Sequence, residues 1–259
     1  MSDGRSEIPL VRISDVGNSI QKETIVEEVA IRLYALKEDG TSEVHSTLLA
    51  TPTDLAELHA GHLLSEDYVN EIPPRELFEI KLEGDVSVHY NGKISLLPRE
   101  RIVTSSCGAC NHPDLAIHRD RLPEEGSRFS NLDLTMLTQA LNRLTSSMLL
   151  FQRSGGCHGT ALLSNDGSIA HVSEDIGRHN SVDKTIGKAI FSKNTTLGDS
   201  MLLLSGRCGW DIVAKCVRTG IPAIASLGAF SSAAVDLARE HNVTLYGFVS
   251  DRGAWKVGY

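Results

Sequence analysis

The stretch Met201-Leu202-Leu203-Leu204-Ser205-Gly206-Arg207-Cys208-Gly209-Trp210 decides the fold, because it joins a wholly apolar segment to a glycine-containing turn. Consecutive apolar residues indicate a short strand that is buried on both faces. The residues after Trp210 are apolar at helical spacing, namely Ile212, Val213, Cys216 and Val217. A buried strand that leads through a turn into a helix is typical of an α/β layer fold.

Strands and helices alternate on both sides of this stretch. Residues 160–163 and 169–172 flank the turn Asn165-Asp166-Gly167, residues 223–226 form another short strand, and residues 243–249 close the series. Helical spacing of apolar residues predicts three more helices, around residues 134–148, 182–190 and 235–238. Residues 132–259 are therefore predicted to be an α/β domain with a largely parallel mixed sheet.

Residues 1–112 are predicted to form a smaller, strand-rich N-terminal part. Alternating apolar residues precede two turn signals, Asp39-Gly40 and Asn91-Gly92. One helix is expected between these turns, with Thr51 as its cap and Pro52 at its first position. Residues 113–131 are polar and are predicted to be a linker.

The charge, the apolar runs and the cysteine content of the chain argue against several classes of protein. The net charge of −8 argues against nucleic-acid binding, which needs a basic surface. No stretch approaches the roughly 20 apolar residues of a membrane span, and residues 1–5 do not lead into the apolar core of a secretory signal. The five cysteines are odd in number and widely spread, which predicts a reducing cytoplasm rather than a disulfide framework.

Cys107 and Cys110 form a CxxC pair without flanking apolar residues that would bury it. Such a pair can bind a soft metal, cycle as a disulfide or carry a transferable sulfur atom. A structural zinc site needs four ligands, and His112, Cys157 and His158 would have to complete it. A dithiol oxidoreductase usually starts a helix at this motif, which Pro113 makes unfavourable. Both alternatives remain open.

Three glycine-rich polar segments follow predicted strands, where α/β folds gather ligands. They lie at residues 154–159, 174–180 and 205–210. Arg178, His179, Lys184 and Arg207 add positive charge there, and the amides of a helix start would face an anion. This pattern suggests a phosphate-bearing ligand. Gly206 and Gly209 would serve equally well as simple turn glycines, and Arg178 as a surface ion-pair partner.

These motifs together resemble the FdhD family of formate dehydrogenase accessory proteins, which are sulfur carriers. The resemblance extends along nearly the whole chain. The segments that carry it are Ser105-Ser106-Cys107-Gly108-Ala109-Cys110, Gly155-Gly156-Cys157-His158, Glu174-Asp175-Ile176-Gly177-Arg178-His179-Asn180-Ser181-Val182-Asp183-Lys184 and Ser205-Gly206-Arg207.

The resemblance implies a cytidine deaminase-like fold for the α/β domain and a cytoplasmic homodimer. It implies a sulfurtransferase that accepts persulfide sulfur from a cysteine desulfurase. The sulfur would pass to the bis(molybdopterin guanine dinucleotide) cofactor of formate dehydrogenase, which is bound as a substrate, with no permanently bound metal.

The resemblance also implies the roles of particular residues. Cys107 would carry the persulfide and Cys110 would assist it. The expected cofactor-binding residues are Arg178, His179, Lys184, Ser205, Gly206, Arg207, Phe248, Val249, Ser250, Asp251, Arg252 and Gly253.

Overall fold

The computed structural model describes residues 3–82, 84–95, 129, 132–192 and 194–258. Its strands are β1 (Arg5–Ser14), β2 (Gly17–Val26), β3 (Val29–Leu36), β4 (Ser42–Ala50), β5 (Phe78–Lys81), β6 (Val86–Lys93), β7 (His158–Ser164), β8 (Ile169–Asp175), β9 (Ser200–Leu204), β10 (Ala223–Ser226), β11 (Thr244–Ser250) and β12 (Gly253–Val257). Its helices are α1 (Leu55–Ser65), α2 (Leu134–Ser147), α3 (Leu149–Ser154), α4 (Arg178–Phe191), α5 (Trp210–Thr219) and α6 (Ser232–Glu240). None of these helices has both the length and the apolar character needed to cross a bilayer.

A six-stranded mixed sheet in the order β12-β11-β10-β9-β7-β8 forms the centre of the C-terminal part. Only the β9–β10 and β10–β11 pairs are parallel, whereas the other three pairs are antiparallel. The prediction of a largely parallel sheet is therefore wrong, although a mixed α/β sheet is confirmed. The reason is local: short turns join β7 to β8 and β11 to β12, and a strand pair joined in that way must be antiparallel.

The N-terminal part contains a four-stranded sheet in the order β4-β3-β6-β5, with α1 packed against it. The Asp39-Gly40 turn between β3 and β4 is confirmed. Asn91-Gly92 is not a turn, because β6 continues through both residues and pairs with β3 as far as Lys93. A Cβ on Gly92 would lie 2.3 Å from the Tyr90 ring, so glycine is needed there for packing.

Helix α1 joins the two parts by packing against α4. A Cβ on Gly61 would lie 1.8 Å from the Asp183 carbonyl oxygen, and one on Gly187 would lie 1.9 Å from the Glu57 carbonyl oxygen. These two glycines let the helix backbones touch. The helix begins at Leu55, after Asp54 in a left-handed conformation, rather than at Pro52 as predicted. Thr51 instead contacts the C-terminal part, where its hydroxyl accepts a hydrogen bond from Ile176 N–H.

The predicted division at residues 112 and 131 stays a prediction. Cys107, Cys110 and most of the predicted linker lie outside the described residues. Phe129 is described and is buried in the C-terminal core, where its carbonyl accepts a hydrogen bond from the Tyr246 hydroxyl at 2.8 Å.

Candidate functional site

One edge of the six-stranded sheet gathers the glycine-rich segments. Because β7 is antiparallel to β8 and β9, its start lies beside their carboxyl ends. Gly159 N–H donates to Ser205 Oγ at 2.9 Å, and Ser205 N–H donates to the Gly159 carbonyl at 3.0 Å. The start of β7 and the turn after β9 therefore form one continuous surface.

The turns after β9 and β10 pack closely at this edge. A Cβ on Gly228 would lie 2.7 Å from the Gly206 carbonyl oxygen and 2.9 Å from Arg207 N. The Ser226 hydroxyl donates to the same carbonyl at 2.5 Å. These contacts fix the backbone around Arg207. The Arg207 side chain is exposed. Its guanidinium group is therefore positioned for an anionic ligand, in a fork that suits phosphate oxygens.

Arg178 and His179 at the start of α4 both contact Asp211 on α5. Arg178 Nη2 lies 3.3 Å from Asp211 Oδ2, and His179 Nε2 hydrogen-bonds to the same oxygen. Burial alone would raise the pKa of Asp211, but the hydrogen bond and charge of His179, followed by the charge of Arg178, lower this pKa to about 2. Asp211 therefore remains a carboxylate that orients both side chains.

The predicted contact of His179 with the cofactor does not fit its position, because the residue is only 2% exposed. Arg178 retains a side-chain exposure of 18% and lies at the surface. Sequence reasoning did not include Asp211, since it lies 33 positions from Arg178 and only the fold brings the two together.

Lys184 does not line a ligand pocket, which corrects another prediction. Its side chain is fully buried and its Nζ lies 2.6 Å from Asp175 Oδ2. The same ammonium group donates to the Thr51 carbonyl at 2.8 Å, while Thr51 N–H donates to Asp175 at 3.0 Å. Lys184 therefore links the turn before α4 to the N-terminal part of the chain.

His158 joins the site at the start of β7, although it was not among the predicted cofactor-binding residues. A Cβ on Gly206 would lie 3.0 Å from its Nδ1 atom, so the ring lies against that turn. Burial lowers the pKa of His158, and the positive charges of Arg178 and Arg207 lower it further. The ring is therefore neutral near pH 7 and lies in an electropositive environment. Its place in a glycine-rich loop was the available sequence signal.

The predicted C-terminal segment forms the end of β11 and the turn to β12. Phe248 has a left-handed backbone with φ of 54° and is 49% exposed. Its N–H donates to the Gly228 carbonyl at 3.0 Å, which ties this segment to the turn beside Gly206. Phe230 packs edge-on against the Phe248 ring, with centroids 6.1 Å apart.

Val249 is 3% exposed and belongs to the core, so the prediction that it contacts the cofactor is not supported by its position. Ser250, Asp251 and Arg252 are exposed. The Ser250 hydroxyl donates to the Gly253 carbonyl at 3.2 Å and accepts from Arg252 N–H at 3.3 Å. These bonds hold the turn in one shape and leave the Asp251 and Arg252 side chains facing solvent.

The three described cysteines are buried thiols. The Cys157 thiol donates to Glu174 Oε1 at 3.3 Å, and its burial, followed by this hydrogen bond, raises its pKa. Cys208 and Cys216 pack in the hydrophobic core of the C-terminal part, and burial likewise raises the pKa of each thiol. A protonated thiol is a poor nucleophile, so these three buried thiols are unsuited to carry a transferable sulfur atom.

Residues 3–82, 84–95, 129, 132–192 and 194–258 contain no group of three or more His, Cys, Asp or Glu side chains that could hold a metal ion. Within these ranges, the arrangement offers an exposed arginine, a neutral histidine and a half-exposed aromatic ring around tightly packed turns. Such a surface can bind phosphate groups and stack against a planar base.

Known proteins resemble this chain over nearly its full length. "Sulfur carrier protein FdhD" of Sulfurisphaera tokodaii is 30% identical over 242 residues, which cover 93% of this chain and 92% of the relative. The protein of the same name from Streptomyces coelicolor is 34% identical over 257 residues, which cover 93% and 89% of the two chains.

A solved structure shares the fold. The crystal structure of a protein described as a formate dehydrogenase accessory protein, from Desulfotalea psychrophila, aligns with a TM-score of 0.69 and 23% identity. The alignment covers 98% of this chain and 97% of that one. The sequence model of the FdhD/NarQ family matches residues 26–255. The chain therefore belongs to the FdhD/NarQ family.

Proposed function

We propose that this chain is a sulfur carrier that activates formate dehydrogenase. It accepts sulfur from the persulfide of a cysteine desulfurase and transfers it to the bis(molybdopterin guanine dinucleotide) cofactor. The observation that carries the proposal is the convergence of Arg207, Arg178 and His158 on one sheet edge. The relatives named as sulfur carrier proteins support the sulfur-carrying part of this proposal.

The substrate cofactor fits the charge of this edge. Its phosphate groups are anionic, and Arg207 is exposed with no acidic partner among the described residues. The guanine base is planar, and the half-exposed Phe248 ring offers a stacking face. The backbone of Ser205 and Gly206, together with Ser250, Asp251, Arg252 and Gly253, completes the proposed contact surface.

The proposed sulfur transfer uses Cys107 and Cys110. The Cys107 thiolate attacks the outer sulfur of the desulfurase persulfide, a new S–S bond forms at Cys107, and the desulfurase thiolate leaves. On delivery the sulfur becomes a sulfide ligand and so gains two electrons. Formation of a Cys107–Cys110 disulfide supplies those electrons, and the displaced oxygen ligand leaves as water with two protons. A cellular thiol then reduces the disulfide.

The proposal includes three features of the whole protein. Residues 132–259 would have the cytidine deaminase-like fold, with residues 1–112 as the N-terminal part and residues 113–131 as linker. The protein would act as a homodimer in the cytoplasm. The desulfurase and formate dehydrogenase would meet the same Cys107-containing segment in turn.

Mass spectrometry after incubation with a cysteine desulfurase and cysteine tests the carrier role. The peptide that contains Cys107 should gain one or more sulfur atoms. The peptides with Cys157, Cys208 and Cys216 serve as internal controls and should remain unmodified, because their thiols are buried. Labelling of those peptides, with Cys107 unchanged, would refute the assignment.

The two competing functions give different results in simple assays. A zinc-stabilised binding module would hold stoichiometric zinc that is lost in Cys107→Ser and Cys110→Ser variants. A dithiol oxidoreductase would reduce insulin and would need both cysteines. The proposed carrier should contain no stoichiometric zinc and should show no insulin reduction.

A further inference from the structure

A long β-hairpin projects from the N-terminal part. Its strands, β1 and β2, pair with each other over ten residues each and form a separate two-stranded sheet. At the base, Glu27 N–H donates to the Gly4 carbonyl at 2.9 Å, and Val26 lies against Gly156. Residues 7–23 are all exposed. We call these residues the arm.

The arm exposes apolar side chains to an unusual degree. The exposed fractions are 60% for Val11, 79% for Ile13, 99% for Val16 and 76% for Ile20. Val11 and Ile20 are cross-strand partners, so they lie on one face together with Ile13. Ile8 and Leu10 lie on the opposite face and are 37% and 45% exposed. Both faces of the arm therefore carry apolar surface.

A two-stranded hairpin is at best marginally stable in water without further packing. Contiguous exposed apolar surface of this kind marks an interaction site. Pro9, which has no N–H, interrupts the row of backbone donors on β1 and disfavours the addition of a further strand. The exposed apolar side chains lie on the faces of the arm, so these faces are the surfaces that a partner would cover.

We propose that each arm is covered by a second copy of this chain, in a reciprocal exchange of arms that holds the homodimer of the proposed function together. The exposed part spans eight residue pairs, from Glu7↔Thr24 to Ser14↔Gly17. At about 3.4 Å per residue and about 10 Å for two strands, each face measures about 270 Å².

The area that each packing arrangement would bury can be compared with the area of known specific interfaces. Two arms that met face to face would bury only about 540 Å² in total, which is below the roughly 1,200 Å² at the low end of specific interfaces. If both faces of each arm are covered by the body of the partner, the interface buries about 2,200 Å², which is enough for a stable dimer. The area comparison therefore favours an arrangement in which both faces of each arm pack against the body of the partner.

One observation favours a second copy over a different protein. Residues 5–26 carry three basic and three acidic side chains and so have no net charge, which fits a self-complementary contact better than a partner of one sign.

Light scattering coupled to gel filtration tests the proposal on the full chain. The wild type should have twice the 28.1 kDa mass of one chain. The double variant Ile13→Lys/Ile20→Lys should be monomeric, with the dissociation constant raised at least 100-fold, because two charges would be buried. The control Leu82→Lys/Met136→Lys changes exposed apolar residues elsewhere and should remain a dimer.

Hydrogen exchange gives a second measurement on the same samples. Amides of residues 7–23 should be protected in the wild type and should exchange quickly in the Ile13→Lys/Ile20→Lys variant, while the core amides of both proteins stay protected. A monomeric wild type, or a dimer that survives the arm substitutions, would overturn the proposal. Loading of sulfur on Cys107 is read separately by mass spectrometry, so failure of either proposal is distinguishable from failure of the other.

Discussion

Replacement of Lys184 by methionine tests whether this residue stabilises the fold or binds the ligand. Lys184 and Asp175 are both fully buried, and Lys184 Nζ lies 2.6 Å from the carboxylate. Lys184→Met leaves the Asp175 charge buried with only neutral donors, among them Thr51 N–H and Gly177 N–H. Loss of one member of a buried ion pair costs about 3–5 kcal/mol. The melting temperature should therefore fall by about 6–20 °C.

Urea unfolding measured by circular dichroism gives the free energy of unfolding of each variant. Lys188→Met is the matched control, because the Lys188–Asp54 pair is partly exposed and should contribute at most about 1 kcal/mol. The double variant Lys184→Met/Asp175→Asn should recover part of the loss, since the amide keeps an acceptor oxygen without a buried charge.

A different result would show that Lys184 contacts the ligand. If Lys184→Met unfolds within 1 kcal/mol of the wild type but binds guanosine diphosphate much more weakly, our assignment of this residue is refuted. We expect the folded fraction of Lys184→Met to keep its affinity for the nucleotide within about threefold, because the side chain does not reach the surface.

Three further predictions concern the site and the core. Arg207→Ala should weaken binding of guanosine diphosphate about 10- to 100-fold in calorimetry, because a charge-assisted contact contributes about 1.5–3 kcal/mol, whereas the exposed Arg239→Ala should change nothing. Burial, followed by the charges of His45 and His62, lowers the pKa of His59 well below 6.5, so below about pH 6.5 the unfolded chain binds a proton that the folded chain does not. Stability should thus fall as the pH drops below 6.5, and His59→Gln should reduce that slope by up to about 1.4 kcal/mol per pH unit; an unchanged slope would count against the buried neutral ring. With a thiol reagent at pH 8, native protein should react at Cys107 and Cys110, and only urea should expose the buried thiols of Cys157, Cys208 and Cys216.

The local pattern of the sequence predicted much of the C-terminal part. The apolar run at residues 201–204 is β9, all of it buried, and the turn after it leads into α5 as expected. Gly155 ends α3 with φ of 66°, the left-handed conformation that favours glycine at the end of a helix. These features depend on interactions between residues close in sequence, which periodicity and turn chemistry report directly.

Interactions between distant residues were not visible in the sequence. Lys184 was predicted to bind the cofactor, but its burial depends on Asp175, nine positions away, and on the Thr51 carbonyl, 133 positions away. The arm was missed because its apolar residues occupy both faces, so that neither strand shows the clean alternation of a half-buried sheet. The antiparallel β11–β12 pair was missed because the series of strands was expected to end at residue 249, before β12.

Transfer of labelled sulfur tests the central claim most directly. The chain is loaded with radiolabelled sulfur by a desulfurase, separated from it, and added to inactive formate dehydrogenase. We predict that the label moves to the enzyme's cofactor as activity appears, that Cys107→Ala gives neither label nor activity, and that Arg207→Ala loads normally but transfers poorly. Full activation of the enzyme by Cys107→Ala, or activity without movement of the label, would contradict the account.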